Sequence, residues 1–139
     1  MSYRVLEDPE KIREYVNGET REEWKNDIRN ADKDPNTSNW LGTLAPRSWR
    51  LEMFYLKDVN ENPDILNIKN QKTGYDFLKQ LQKRIPEMKR NIEKYRFPLT
   101  PLVVREEDMT LMDGYCRLRT LRDLSVPRVY AYLGSEPSH

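Results

Sequence analysis

One cysteine and one histidine are all that 139 residues offer to thiol, imidazole or zinc chemistry. Cys116 has no partner for an internal disulfide, and a four-ligand zinc site finds too few Cys and His to draw on. Such usage fits a reducing, cytoplasmic setting. Long hydrophobic runs are missing too. The longest falls far short of the ~20 apolar residues that cross a bilayer, which excludes a transmembrane helix. The amino terminus, Met1 to Asp8, turns acidic before any apolar stretch develops, so no signal peptide is expected. What is present is the material of a core. Eight Tyr, three Trp and three Phe exclude a disordered chain, while 34% charged residues keep the surface solvated. The length suits one domain of common size and not two.

The net charge of +1 conceals an asymmetry. Residues 1–78 hold 12 Lys and Arg against 15 Asp and Glu, a net of −3, whereas residues 79–128 hold 12 against 7, a net of +5. The second region is the side for an anionic partner, whether nucleotide phosphate or nucleic acid. Glu106, Glu107 and Asp108 inside it argue against a dedicated DNA-binding tail.

Residues 1–45 read as a helical extension. Asp8-Pro9 caps a helix with Ile12, Tyr15 and Val16 on one face, and Asn17-Gly18 ends it. Thr20 opens a second helix, with Glu23 completing a capping box and Trp24, Ile28 and Ala31 forming its inner stripe. Residues 32–39 are a loop by composition. Forty residues build no stable core alone, so this extension should pack on the remainder, residues 46–139.

That remainder alternates strands and helices. Trp49, Leu51, Met53 and Tyr55 alternate with polar neighbours as in a strand, and residues 58–64 are turn-rich. Thr73 caps a long helix whose Leu78, Leu81, Ile85, Met88 and Ile92 share one face, with a kink or break expected at Pro86. Then come strands at Leu99–Val104 and Met109–Met112, a break at Asp113-Gly114, a helix over Arg117–Leu124 and a strand over Arg128–Leu133. The fold class is α+β, a small mixed sheet with flanking helices.

The junction at Gly114 is the chemically suggestive point. A glycine between strand and helix permits backbone conformations and close approaches that a side chain blocks. The first amides of the helix lack internal partners and sit at the positive end of its dipole, where an anion gains several hydrogen bonds at once. Arg117 can bring a guanidinium to the same place, and Asp113 can orient a hydroxyl, hold Mg2+ or act as a base. The plain alternative is that Asp113 caps, Gly114 turns and Arg117 decorates the surface. Cys116 beside Arg117 is either a lowered-pKa thiolate or a small spectator. Lys83, Arg84, Lys89, Arg90, Lys94 and Arg96, with Arg119, Arg122 and Arg128, form either a nucleic-acid contact or a solvated face. Trp24, Trp40 and Trp49 read as packing anchors rather than base-stacking platforms, and His139 lies in the polar tail.

Residues 97–134 carry a family pattern. Pro101-Leu102-Val103-Val104, then Leu111-Met112-Asp113-Gly114-Tyr115-Cys116-Arg117-Leu118, then Val126-Pro127-Arg128-Val129 resemble the ParB/sulfiredoxin superfamily. The helix around residues 88–95 matches the one preceding the first of these strands, and residues 51–59 match an opening strand. The resemblance implies a ParB/sulfiredoxin-like sheet and a phosphate loop at Gly114, Tyr115, Cys116 and Arg117 for CTP, ATP or ADP with Mg2+. Nucleotide hydrolysis or phosphoryl transfer would then use Asp113 and Arg117, with Glu52, Asp58 or Glu61 as a second carboxylate. Tyr115 and Cys116 stand where many relatives have His or Glu, and Cys116 lies one position from the sulfiredoxin nucleophile. The rival expectation is a non-catalytic DNA-associated or protein-interaction module of a partition-, plasmid- or phage-type system. Its DNA contacts would run through Lys89, Arg90, Arg119 and Arg122, and a homodimer is the assembly it allows.

Overall fold

The computed structural model describes residues 2–24 and 43–137. Its helices and strands follow in chain order as α1 (Pro9–Tyr15), β1 (Ser48–Tyr55), α2 (Pro63–Leu66), β2 (Lys69–Asn70), β3 (Tyr75–Asp76) and α3 (Phe77–Glu93). The chain then runs through β4 (Leu102–Arg105), β5 (Thr110–Asp113), α4 (Tyr115–Asp123) and β6 (Arg128–Ser135). The main sheet has the order β1-β6-β4-β5. β1 and β6 are antiparallel, β6 and β4 parallel, β4 and β5 antiparallel. A parallel pair needs a crossover, and here β5 and α4 supply it between β4 and β6. β4 is internal, and Leu102, Val103 and Val104 are fully buried.

The amino-terminal segment shares this core. Ile12, Val16 and Trp24 belong to the same buried cluster as Leu102, Leu111, Leu118 and Tyr132. The rings of Tyr15 and Tyr132 meet edge-on at 5.6 Å, and the Tyr132 hydroxyl accepts the Leu6 N–H. Asp8 caps α1 by accepting from the Glu10 N–H. Asn17-Gly18, however, does not end the helix. The backbone widens into a π-turn over Val16–Thr20 and continues helical through residues 21–24, so Thr20 begins no second helix. Ile28, Ala31, the loop at residues 32–39, Trp40 and His139 lie outside the described residues.

Two further differences have local causes. Residues 58–76 hold more structure than a turn: Asn62-Pro63 starts the one-turn α2, and β2 pairs with β3. α3 consequently starts later, capped by Asp76, which accepts from the Lys79 N–H at 3.2 Å, and Thr73 instead accepts from the Tyr75 N–H. α3 remains one helix through Pro86, burying Phe77, Leu81 and Ile92.

At the far end of the sheet, Arg47 is buried and ties three segments together. It donates to the carbonyls of Thr43 and Gly134 and pairs with Glu107 at 2.7 Å. Gly134 accommodates it by lacking a side chain. A Cβ there would lie 2.8 Å from the Trp49 ring and 2.9 Å from the Arg47 Cδ.

Candidate functional site

α3 and α4 pack side by side, and a cleft of about 670 Å3 opens where α4 begins. Gln80, Arg84, Glu87, Met88 and Asn91 of α3 line one wall. Their spacing of three and four residues places them on one helical face. The opposite wall is Asp113, Gly114, Tyr115, Cys116 and Arg117, so the structure brings all five expected loop residues to one cleft. Tyr15 and Trp24 of the amino-terminal helix, with Tyr75 and Phe77, line it as well. Trp24, Phe77 and Tyr115 are nonetheless buried and packed ring to ring at 5.7–6.3 Å, as a core cluster does. Trp24 further donates its indole N–H to the Met112 carbonyl at 2.7 Å.

Gly114 is the hinge of the site. Its φ of +103° is the left-handed region that favours glycine, and its position as the residue before α4 leaves no side chain to cap the helix. A Cβ there would lie 2.6 Å from the Leu102 Cδ2. The first bond within α4 runs from the Leu118 N–H to the Gly114 carbonyl at 2.8 Å. The amides of Tyr115, Cys116 and Arg117 therefore have no acceptor inside their own helix.

Arg117 is placed differently from a free phosphate ligand. Its Nη1 donates to the Thr100 carbonyl at 3.1 Å, to the Thr100 hydroxyl and to the Pro101 carbonyl at 3.2 Å. Its Nη2 pairs with Asp113 at 3.3 Å, and both side chains are nearly buried, 12% and 13% exposed. The guanidinium lies over Gly114, with Nε and Nη2 each 3.1 Å from where a Cβ would sit. It latches the start of α4 to the segment leading into β4.

Tyr115 turns its ring inward. Its hydroxyl donates to the Leu111 carbonyl at 2.9 Å and accepts the Asn62 N–H at 3.0 Å, and burial pushes its pKa well above the ordinary phenol value. Its contribution to the loop is thus its backbone amide. Burial likewise raises the Cys116 thiol, outweighing the bond with Thr120 and the charges of Arg84 and Arg117. Cys116 is therefore no low-pKa thiolate.

The remaining candidates lie apart from the cleft. Glu61 pairs with Arg119 at 2.8 Å and Arg122 at 3.6 Å, Glu52 pairs with Arg50, and Asp58 sits exposed in the short turn after β1. Lys89 pairs with Asp123 at 3.3 Å, so three of the four cations expected to meet DNA already face carboxylates; Arg90 is exposed. Among the described residues no group of three or more His, Cys, Asp or Glu could hold a metal. Asp113, ion-paired with Arg117, does not by itself make a Mg2+ site. Among them, too, no helix is long and apolar enough to cross a membrane.

No family model and no curated protein matches the sequence. Among solved structures, the chain is similar to the C2221 form of a Pnob8-like ParB-N domain, at 15% identity and a TM-score of 0.47 over 66% of this chain and 31% of that one. It is also similar to a second structure of a pNOB8-like ParB N-domain, at 20% identity and a TM-score of 0.40 over 64% of this chain and 28% of the other. The chain thus spans about a third of the length of these structures or less. The arrangement described above is α+β, a four-stranded mixed sheet flanked by helices.

Proposed function

We propose that the chain is a ParB-like domain that binds a nucleotide through its phosphates, in the cleft between α3 and the start of α4. One observation carries the reading: an open cleft, of the size that takes a small molecule, has at its wall a glycine-initiated helix whose first three amides lack acceptors in their own helix. The Asp113-Gly114-x-x-Arg117 motif supports the same reading from the sequence side. Arg117 contributes by fixing the loop, and ATP, ADP and CTP are the candidate ligands. Mg2+ enters only as the counter-ion that a polyphosphate brings. Hydrolysis or phosphoryl transfer is the further step of this proposal, with Asp113 as the carboxylate beside the Gly114 loop.

Calorimetric titration of the chain with ATP, ADP and CTP, each with and without Mg2+, tests it, with adenosine and cytidine as phosphate-free arms. The expected result is saturable binding of a nucleotide and much weaker binding of its nucleoside. No binding of any of the three nucleotides overturns the reading.

A second reading, a non-catalytic interaction module of a partition-, plasmid- or phage-type system, is favoured by a separate feature. Tyr95 and Phe97 are 52% and 56% exposed with ring centroids 5.9 Å apart, an aromatic pair held open to solvent. Sedimentation of the chain against its Y95A/F97A variant tests whether that pair supports a homodimer. Gel shifts with random duplex DNA across a salt series test the DNA arm.

A further inference from the structure

We infer that the outer edge of β1 is where a second copy of this chain docks, strand against antiparallel strand, about a two-fold axis through Leu51. The inference is independent of the cleft and of its ligand.

The main sheet ends in β1 on one side and β5 on the other, and the chain treats the two ends oppositely. β5 has four residues, and its outer side is occupied. Asn60 donates its N–H to the Met109 carbonyl and accepts the Leu111 N–H, while the Leu111 and Met112 carbonyls take the Tyr115 hydroxyl and the Trp24 indole N–H. β1 has eight residues, paired with β6 in an unbroken register and containing no proline.

In an antiparallel ladder, residues alternate between pairs that exchange hydrogen bonds and pairs that do not. The Leu56 N–H reaches the Pro127 carbonyl at 2.9 Å, one step beyond the Tyr55–Arg128 pair. The Gly134 carbonyl, opposite Trp49, turns away from β1 to accept the Glu106 N–H. Both observations fix the same parity. Ser48, Arg50, Glu52 and Phe54 bond to β6, and Trp49, Leu51, Met53 and Tyr55 aim their N–H and C=O groups out of the sheet. Those outward groups have no partner among the described residues. An edge of this length and regularity is a template for a further strand.

Charge selects which strand fits. Arg50 and Glu52 share one face of β1, two positions apart, both partly exposed and joined at 2.6 Å. Charges on an edge deter a strand that leaves them unmatched. A two-fold axis through Leu51 sets Arg50 opposite the partner's Glu52 and Glu52 opposite the partner's Arg50, in the pairs where facing side chains come closest. The outward groups of Leu51 then meet those of the partner's Leu51, and those of Trp49 meet those of the partner's Met53, for about six backbone hydrogen bonds. An axis through Arg50 or Glu52 would set like charge against like, and one through Trp49 or Met53 would set both charges opposite uncharged residues. Met53, exposed in the single chain, gains an apolar neighbour in the partner's Trp49.

Sedimentation of the full chain over a concentration series tests this, with E52R, R50E, a mixture of the two, and M53P. Wild type should form a reversible dimer. E52R and R50E each bring like charges together across the axis and should weaken it by about tenfold or more. In their mixture every facing pair is again opposite in sign, and the dimer should return. M53P takes an outward donor from each copy, leaves the bonds to β6 in place and should abolish the dimer. Thermal melts of each variant separate a lost contact from a lost fold. A wild type that stays monomeric at about 100 μM overturns the inference. So does a dimer that E52R and M53P leave intact, or a folded pair of charge variants that fails to recover on mixing. Loss of the dimer in Y95A/F97A but in neither E52R nor M53P would place the contact at the aromatic pair instead and overturn it equally.

Discussion

At Gly114 and at Gly134 the chain repeats one arrangement: an arginine laid over a glycine, tied to carbonyl oxygens and to one carboxylate. At Gly134 the arginine is Arg47, bound to the Thr43 and Gly134 carbonyls and to Glu107. At Gly114 it is Arg117, bound to the Thr100 and Pro101 carbonyls and to Asp113. Both close a gap between segments distant in sequence, and in both a Cβ on the glycine would collide with its surroundings. The difference is what lies beside them. Gly134 sits inside β6, facing a tryptophan, whereas Gly114 starts a helix at the edge of a cleft. A glycine with an arginine over it is therefore, in this fold, a means of joining elements, and helix amides without an acceptor in their own helix are what set the second case apart.

The comparison breaks hardest at the glycines. G114A should destabilise by about 2–5 kcal/mol, combining left-handed backbone strain with overpacking against Leu102. G134A carries no positive φ and should cost about 1–3 kcal/mol, through the Trp49 and Arg47 contacts alone. Urea denaturation of the two variants reads the difference, and equal losses would remove the distinction drawn here.

Next come the arginines. R47M removes the buried guanidinium that pairs with Glu107 and should cost about 2–4 kcal/mol, with R117M comparable because the Thr100 and Pro101 carbonyls and Asp113 lose a charged donor in the same way. A thermal melt that moves with R47M but not with R117M would show that Arg117 is no latch.

A smaller effect should appear in acid. Hydrogen bonding from Arg47 holds the Glu107 carboxyl below its ordinary range, and Arg105 does the same for Asp108. A depressed carboxylate stabilises the fold above its unfolded pKa and loses that contribution as pH falls through the folded value. Stability should thus decline below about pH 5, and E107Q should flatten part of that decline in melts recorded down the pH series. The least effect is expected at Cys116. Its raised thiol should be alkylated slowly at neutral pH and faster as pH rises, whereas a rate already at its plateau at pH 7 would contradict the burial described.

The sheet was readable because its strands are marked twice, by apolar character and by breakers. Leu102–Val104 and Leu111–Met112 are short apolar runs between Pro101, the Glu106–Asp108 turn and Gly114. α2 and the β2–β3 hairpin were not readable, because one helical turn and two-residue strands are too short to show a period. Gly114 announced itself through its place between strand and helix. The cleft did not, because its second wall comes from α3, and in sequence Arg84 looks like one more cation in a basic stretch. Nor does any residue type reveal that Arg117 is matched internally. Its partners at Thr100 and Pro101 are backbone carbonyls, which every sequence carries.

The π-turn at Val16–Thr20 leaves one residue more in its loop of backbone than an ordinary turn would hold. Winding the same residues as a regular α-helix, with none removed, would rotate everything beyond them by roughly 100° about the helix axis. Trp24 would swing off the Met112 carbonyl, withdrawing an aromatic side of the cleft between α3 and the start of α4. The width of one turn of backbone in the amino-terminal segment thereby governs the shape of a cleft walled otherwise by α3 and the start of α4.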